Sequence, residues 1–135
     1  MIYFTIPGEP VPKGRPRVTK QGIAYTPKKT REYEALVKES FLSQVDQEPM
    51  EGPVRFAAAF YFKIPKSYTE AQVKEIESGE MLKTTKPDLD NCIKSITDAL
   101  NGLAYKDDSQ IVRIIAAKKF SATGDPHVEV GIYDF

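Results

Sequence analysis

A chain of 135 residues and 15.2 kDa has the size of one domain, and 41% hydrophobic with 28% charged residues is a globular balance, not a disordered or fibrous one. A single cysteine, Cys92, excludes an internal disulfide framework and fits a reducing cytoplasm. No apolar run approaches the ~18 residues of a membrane span, and the short run before Pro7 lacks the basic flank of a secretory leader.

In chain order, Ile2 to Ile6 is an apolar, β-branched run closed by Pro7-Gly8, the pattern of a first strand and turn. Residues 8–22 carry Pro10, Pro12 and Pro16, which exclude a helix interior and imply an extended loop. Ile23 to Tyr25 fits a brief strand. Thr26 as N-cap and Pro27 at the first helical position open a helix to about Gln47, with Tyr33, Leu36, Val37, Phe41 and Val45 as its apolar stripe. Glu51-Gly52-Pro53 is a turn, and Val54 to Ile64 is a strand stopped by Pro65.

Ser67 with Glu70 makes a capping-box pattern before a weakly amphipathic helix ending near Glu80, which reads as a peripheral insertion. Ile111 to Phe120 and His127 to Tyr133 are further strands, with Thr123 to Pro126 turning between them as in a hairpin. This order predicts an α/β (α+β) fold, a single compact domain over residues 1–135 with a mixed β-sheet flanked by helices.

The formal net charge of zero hides an asymmetry: residues 1–31 hold seven basic side chains against one acid, and the remainder is correspondingly acidic. A basic arm on an acidic body suits a protein that attracts phosphate with one element and binds cations with another. A solvated Lys-rich loop with no partner has the same composition. Lys13, Arg15 and Arg17 alternate with Pro and Gly, which keeps them extended and presents them to phosphates.

Residues 86–111 concentrate the chemistry. Ile93, Ile96 and Leu100 place a helix from Asp88 or Asp90 to Asn101, stopped by Asn101-Gly102. Asp90, Lys94 and Asp98 fall in one row on its polar side. Asp88 stands at the helix start, and Asp107-Asp108 occupy a loop leading into a β-rich run. A helix packed on a strand can bring such acids together. Hard divalent cations favour oxygen ligands and use only one or two carboxylates each, with waters and phosphate oxygens filling the rest. Two such ions stabilise both the attacking and the leaving oxygen in phosphodiester cleavage.

The same residues also have a purely structural reading. An Asp at a helix N-cap or in the first turn stabilises the helix by roughly 0.5–2 kcal/mol without any catalytic role. Asp-Asp-Ser is a good turn sequence, and Asp90 with Lys94 makes an i,i+4 ion pair contributing about 0.2–0.5 kcal/mol. Cys92 is read as a small core residue, His127 as structural, and Tyr33 and Phe41 as core.

The combination Lys86-Pro87-Asp88-Leu89-Asp90-Asn91, then Lys94, Asp98-Ala99-Leu100-Asn101-Gly102 and Asp107-Asp108-Ser109-Gln110-Ile111, closely resembles the RusA family of Holliday junction resolvases. Gly8 to Arg17 also looks like the opening of many members, which are small endodeoxyribonucleases often carried by phages and prophages. The resemblance implies a homodimer that binds four-way DNA junctions and cuts two strands symmetrically with Mg²⁺, or with Mn²⁺ in its place. By position it implies that Asp88, Asp90 and Asp108 are essential metal ligands and that Lys94 is the essential lysine. Asp107 is the adjacent acid, either ligating metal or orienting its loop. Two other functions stand beside this one: a catalytically silent junction-binding protein whose acids are caps, and a metal-dependent nuclease acting on flaps or other branched DNA.

Overall fold

The computed structural model describes all 135 residues. β1 (Ile2–Pro7), β4 (Val54–Phe62), β5 (Ile111–Phe120) and β6 (His127–Asp134) form a sheet in the order β1-β6-β4-β5. β4 and β5 pair parallel and the other neighbours antiparallel, so the sheet is mixed. In β4, Val54, Phe56, Ala58, Phe60 and Phe62 are buried in strict alternation, the period of a strand covered on one face. That face packs under α1 (Lys28–Gln44) and α3 (Leu89–Ala99) in a core of 23 buried residues. Each buried Phe of β4 contributes about 1.5–3 kcal/mol by leaving water. Phe4 of β1 meets Phe41 of α1 edge-on at 5.4 Å, which fixes the helix on the sheet. The architecture is the α+β fold with a mixed sheet that the element order predicts.

Several local expectations need correction. β5 and β6 are not a hairpin, because β6 inserts between β1 and β4 while β5 pairs on the far side of β4. Burial explains the order: β6 hides Val128, Val130, Gly131 and Ile132 and suits the middle, whereas β5 is exposed from Val112 to Ile115 and takes the edge. The residue 8–22 loop contains β2 (Arg17–Val18), which pairs antiparallel with β3 (Ala24–Tyr25) to make a small hairpin of the basic arm.

Pro27, not Thr26, is the N-cap of α1, and the helix ends three residues early because Val45 turns extended (φ −120°, ψ 127°). β4 stops at Phe62, and Ile64 packs against the core from outside the strand. The pattern of Ser/Thr followed three residues later by Glu/Gln occurs twice, as Ser67–Glu70 and Thr69–Gln72. The second forms the capping box of α2 (Glu70–Glu77), with Gln72 N–H donating to Thr69 Oγ1 and Thr69 N–H to Gln72 Oε1. No helix is long and apolar enough to cross a membrane.

Candidate active site

α3 carries the row Asp90, Lys94, Asp98 because its other face, Cys92, Ser95, Ile96 and Ala99, is buried against the core. α3 ends at Ala99 with Leu100 as its C-cap, two residues before the expected Asn101, and Gly102 at φ +80° turns the following chain in the left-handed conformation that glycine tolerates best. The chain then turns at Tyr105, whose buried hydroxyl donates to the Thr97 carbonyl at 2.7 Å. Burial raises the Tyr105 phenol pKa, and the charges of Asp108, Asp98 and Asp107 add to the effect. Asp88 and Asp90 stand at the other end of α3, where burial pushes the Cys92 thiol up to about 11 and both carboxylates assist. Ten residues of helical rise separate Asp88 from Asp98, about 15 Å. Within one chain no three His, Cys, Asp or Glu side chains gather closely enough to hold a metal ion.

The five aspartates of residues 86–111 divide by partner. Asp98 is ion-paired to Lys13 at 3.4 Å and Lys94 at 3.5 Å. Asp107 accepts from the Ser109 N–H at 3.0 Å and so caps a 3-10 turn over Asp108–Gln110; hydrogen bonding with the Ser109 side chain first, and with its N–H second, holds the Asp107 carboxyl below the usual range. Asp88, Asp90 and Asp108 accept no hydrogen bond and form no ion pair through their carboxylates. Asp88 occupies the N-cap position of α3, yet its side chain makes no cap bond, so the capping role open to it in the sequence is not one it performs. These three free carboxylates are hard oxygen donors, and the donor set fits a hard divalent cation.

Two polar side chains set the acid-bearing segments, and sequence patterns flagged neither. Gln110 accepts from the Lys106 and Asp107 N–H groups at 2.8 and 3.0 Å while its amide donates to the Met50 and Gly52 carbonyls, both at 2.9 Å. It thereby ties the Asp107-Asp108 turn to the segment before β4. Lys118 of β5 donates to the carbonyls of Thr85 and Pro87 at 2.7 and 2.9 Å, just before Asp88. The Ser/Thr/Asp–x–x–Gln rule at Asp107 was the signal available for Gln110; Lys118 had none.

The basic arm lies against this helix. Lys13 N–H donates to the Asn91 carbonyl at 2.9 Å, and its ammonium bonds Glu34 of α1 as well as Asp98 of α3. Burial alone would lower the Lys13 pKa, but Glu34 and Asp98 outweigh it and hold the ammonium above the ordinary lysine value. Lys13 is thus a strap between two helices, whereas Arg15 and Arg17 are exposed. Together with Lys29 these arginines line a groove of about 390 Å³. Gly14 lets the arm approach α1: its N–H donates to Thr30 Oγ1 at 3.0 Å, and a Cβ there would stand 2.6 Å from the same atom. A cleft of about 450 Å³ opens between arm and helix, lined by Pro12, Lys13, Lys86, Pro87, Asp88 and Asn91.

The α+β fold thus sets unpaired aspartates beside a basic arm. The family model described as endodeoxyribonuclease RusA matches residues 7–133, nearly the whole chain, and the protein belongs to this family. A relative in Bacillus subtilis (strain 168), "Uncharacterized protein YqaN", is 38% identical over 136 residues, covering 97% of this chain and 94% of the relative.

Proposed function

We propose that the protein is a Mg²⁺-dependent endodeoxyribonuclease that resolves four-way DNA junctions, with Mn²⁺ able to replace Mg²⁺. The observation that carries this reading is the division among the aspartates. Among the five aspartates of residues 86–111, the three that match the RusA motif by position, Asp88, Asp90 and Asp108, are the ones without partners, while Asp98 and Asp107 are engaged. Asp88, Asp90 and Asp108 would hold the metal, which supplies a water-derived nucleophile at neutral pH and charge neutralisation at phosphate.

The chain's own residues do the remaining work. Lys94, exposed and one turn beyond Asp90, stabilises negative charge building on the phosphate. Arg15 and Arg17 take flanking phosphates and add affinity without reading sequence. Two symmetric cuts need two centres, so the active species is a homodimer. Support for it comes from β5, an unpaired edge with Val112, Ile114 and Ile115 exposed at 55%, 48% and 68%. Because no three acidic side chains gather around a metal position within one chain, the partner chain would complete the centre.

The test is cutting of a labelled four-way junction by wild type and Asp90→Asn in Mg²⁺, beside flap and plain duplex substrates. Wild type is expected to cut the junction preferentially and Asp90→Asn to fail. Equal cutting by both rejects the metal assignment, and preference for the flap moves the substrate to another branched DNA. Junction binding with no cutting in either ion would favour a silent binding protein.

A further inference from the structure

β5 pairs with β4 in register, Ile114 opposite Phe56, Ala116 opposite Ala58, Lys118 opposite Phe60 and Phe120 opposite Phe62. Those β4 residues are all buried on the helix-covered face. Lys118 therefore projects on the side of the sheet that is apolar at every neighbouring position. A strand residue shifted by one, as Lys119 is, would put its ammonium in solvent. Lys118 is half-buried at the sheet edge, so its stem lies along apolar surface while its ammonium reaches out of it. There it meets two backbone carbonyls, Thr85 at 2.7 Å and Pro87 at 2.9 Å, on either side of Lys86. Pro87 immediately precedes Asp88, and no other side chain hydrogen-bonds the backbone of residues 84–88.

We infer that Lys118 is a positioning residue: its ammonium clamps the 85–87 backbone so that Asp88 and Asp90 are presented, unpaired, at the start of α3. The inference rests on the proposed metal role of those two aspartates and deepens it. It explains how Asp88 stays in place while its side chain makes no cap bond, since the backbone ahead of it is held from the sheet rather than by the helix. It also explains a lysine where the register calls for an apolar residue. Methionine would fill the same space but could not hold the two carbonyls.

The experiment compares wild type, Lys118→Met and Lys118→Arg in three readouts: thermal melting, Mn²⁺ affinity by the electron paramagnetic resonance of free Mn²⁺, and the Mg²⁺ dependence of junction cutting. Lys118→Met is expected to melt cooperatively, to bind Mn²⁺ about 10–100-fold more weakly, and to need correspondingly more Mg²⁺ for half-maximal cutting. Lys118→Arg, which keeps charge and donors, is expected to recover most of that loss. If the methionine variant does not fold, Lys118→Gln carries the same expectation. A folded variant lacking the ammonium that binds Mn²⁺ like wild type overturns the inference, because a lysine that served only stability would shift melting alone. A wild type that binds no Mn²⁺ overturns the metal reading and the inference with it. A wild type that binds Mn²⁺ but cuts nothing removes the nuclease reading, and weaker Mn²⁺ binding by Lys118→Met then still supports the clamp.

Discussion

The two ends of β5 each hold an acid-bearing segment, and they do so with different chemistry. Before β5, the neutral amide of Gln110 gathers two N–H groups and two carbonyls around the Asp107-Asp108 turn. Near its other end, the charged Lys118 takes two carbonyls ahead of Asp88. The first anchor leaves one of its two aspartates engaged as a cap and one free. The second leaves Asp88 free although it stands at a cap position. In both places the backbone is fixed by a residue other than the acid, so a carboxylate remains available to a cation.

The largest effect is expected from mixing chains. If the Asp88–Asp90 end of one chain works with the partner's Asp108, Asp90→Asn and Asp108→Asn proteins are each inactive, and subunit exchange between them restores nicking of a four-way junction. No recovery after verified exchange would place the whole centre in one chain.

Next comes the basic arm. Replacing Arg15 and Arg17 together by Ala should weaken junction binding and flatten the salt dependence of log Kd by about 2, while cutting at saturating protein persists. An unchanged salt slope removes those residues from the phosphate contacts. Gly14→Ala should displace the same arm, because its Cβ would meet Thr30 Oγ1 at 2.6 Å; weaker junction binding with intact metal affinity is the expected signature.

The Gln110 end can be loosened separately. Gln110→Ala strands the Met50 and Gly52 carbonyls, and an expected loss of about 1–3 kcal/mol should show in urea unfolding. A loss below the measurement error would mean water replaces the amide.

The smallest effect concerns pH. Asp107 has a folded pKa below its ordinary 3.8, so its cap contributes above that value and is lost as pH falls through the lower, folded pKa. The Ser109 amide resonance should titrate with a midpoint below 3.8, and a midpoint at or above it contradicts the cap.

Much of this molecule was legible in the sequence for physical reasons. The apolar run of β4 and the Ile93, Ile96, Leu100 stripe of α3 are visible in the sequence, whereas the alternating burial along β4 is not, because nearly every residue from Phe56 to Phe62 is apolar. Strand order was not legible: a Gly-Asp-Pro turn between two strands looks the same whether they pair or cross over a third. The cap of α2 was ambiguous because two overlapping motifs satisfied one spacing rule. The RusA motif could be read from residues 86–111, and 127 residues of the chain, 7–133, match the family model. Lys13 could not be sorted from Arg15 and Arg17 by composition, since only the packing of α1 against α3 brings Glu34 and Asp98 to it. Lys118 was hidden for the same reason, as its partners are backbone atoms distant in sequence.

The most direct measurement is the rate of four-way junction cutting at saturating protein by Asp107→Asn and Asp108→Asn. These adjacent residues differ in what their carboxylates do: one caps a turn, a task asparagine performs equally well, and the other has no partner. The expected result is near wild-type cutting by Asp107→Asn and a loss of at least about 100-fold in Asp108→Asn. The reverse order, or equal activity in both, would contradict the assignment of the unpaired aspartates to the metal.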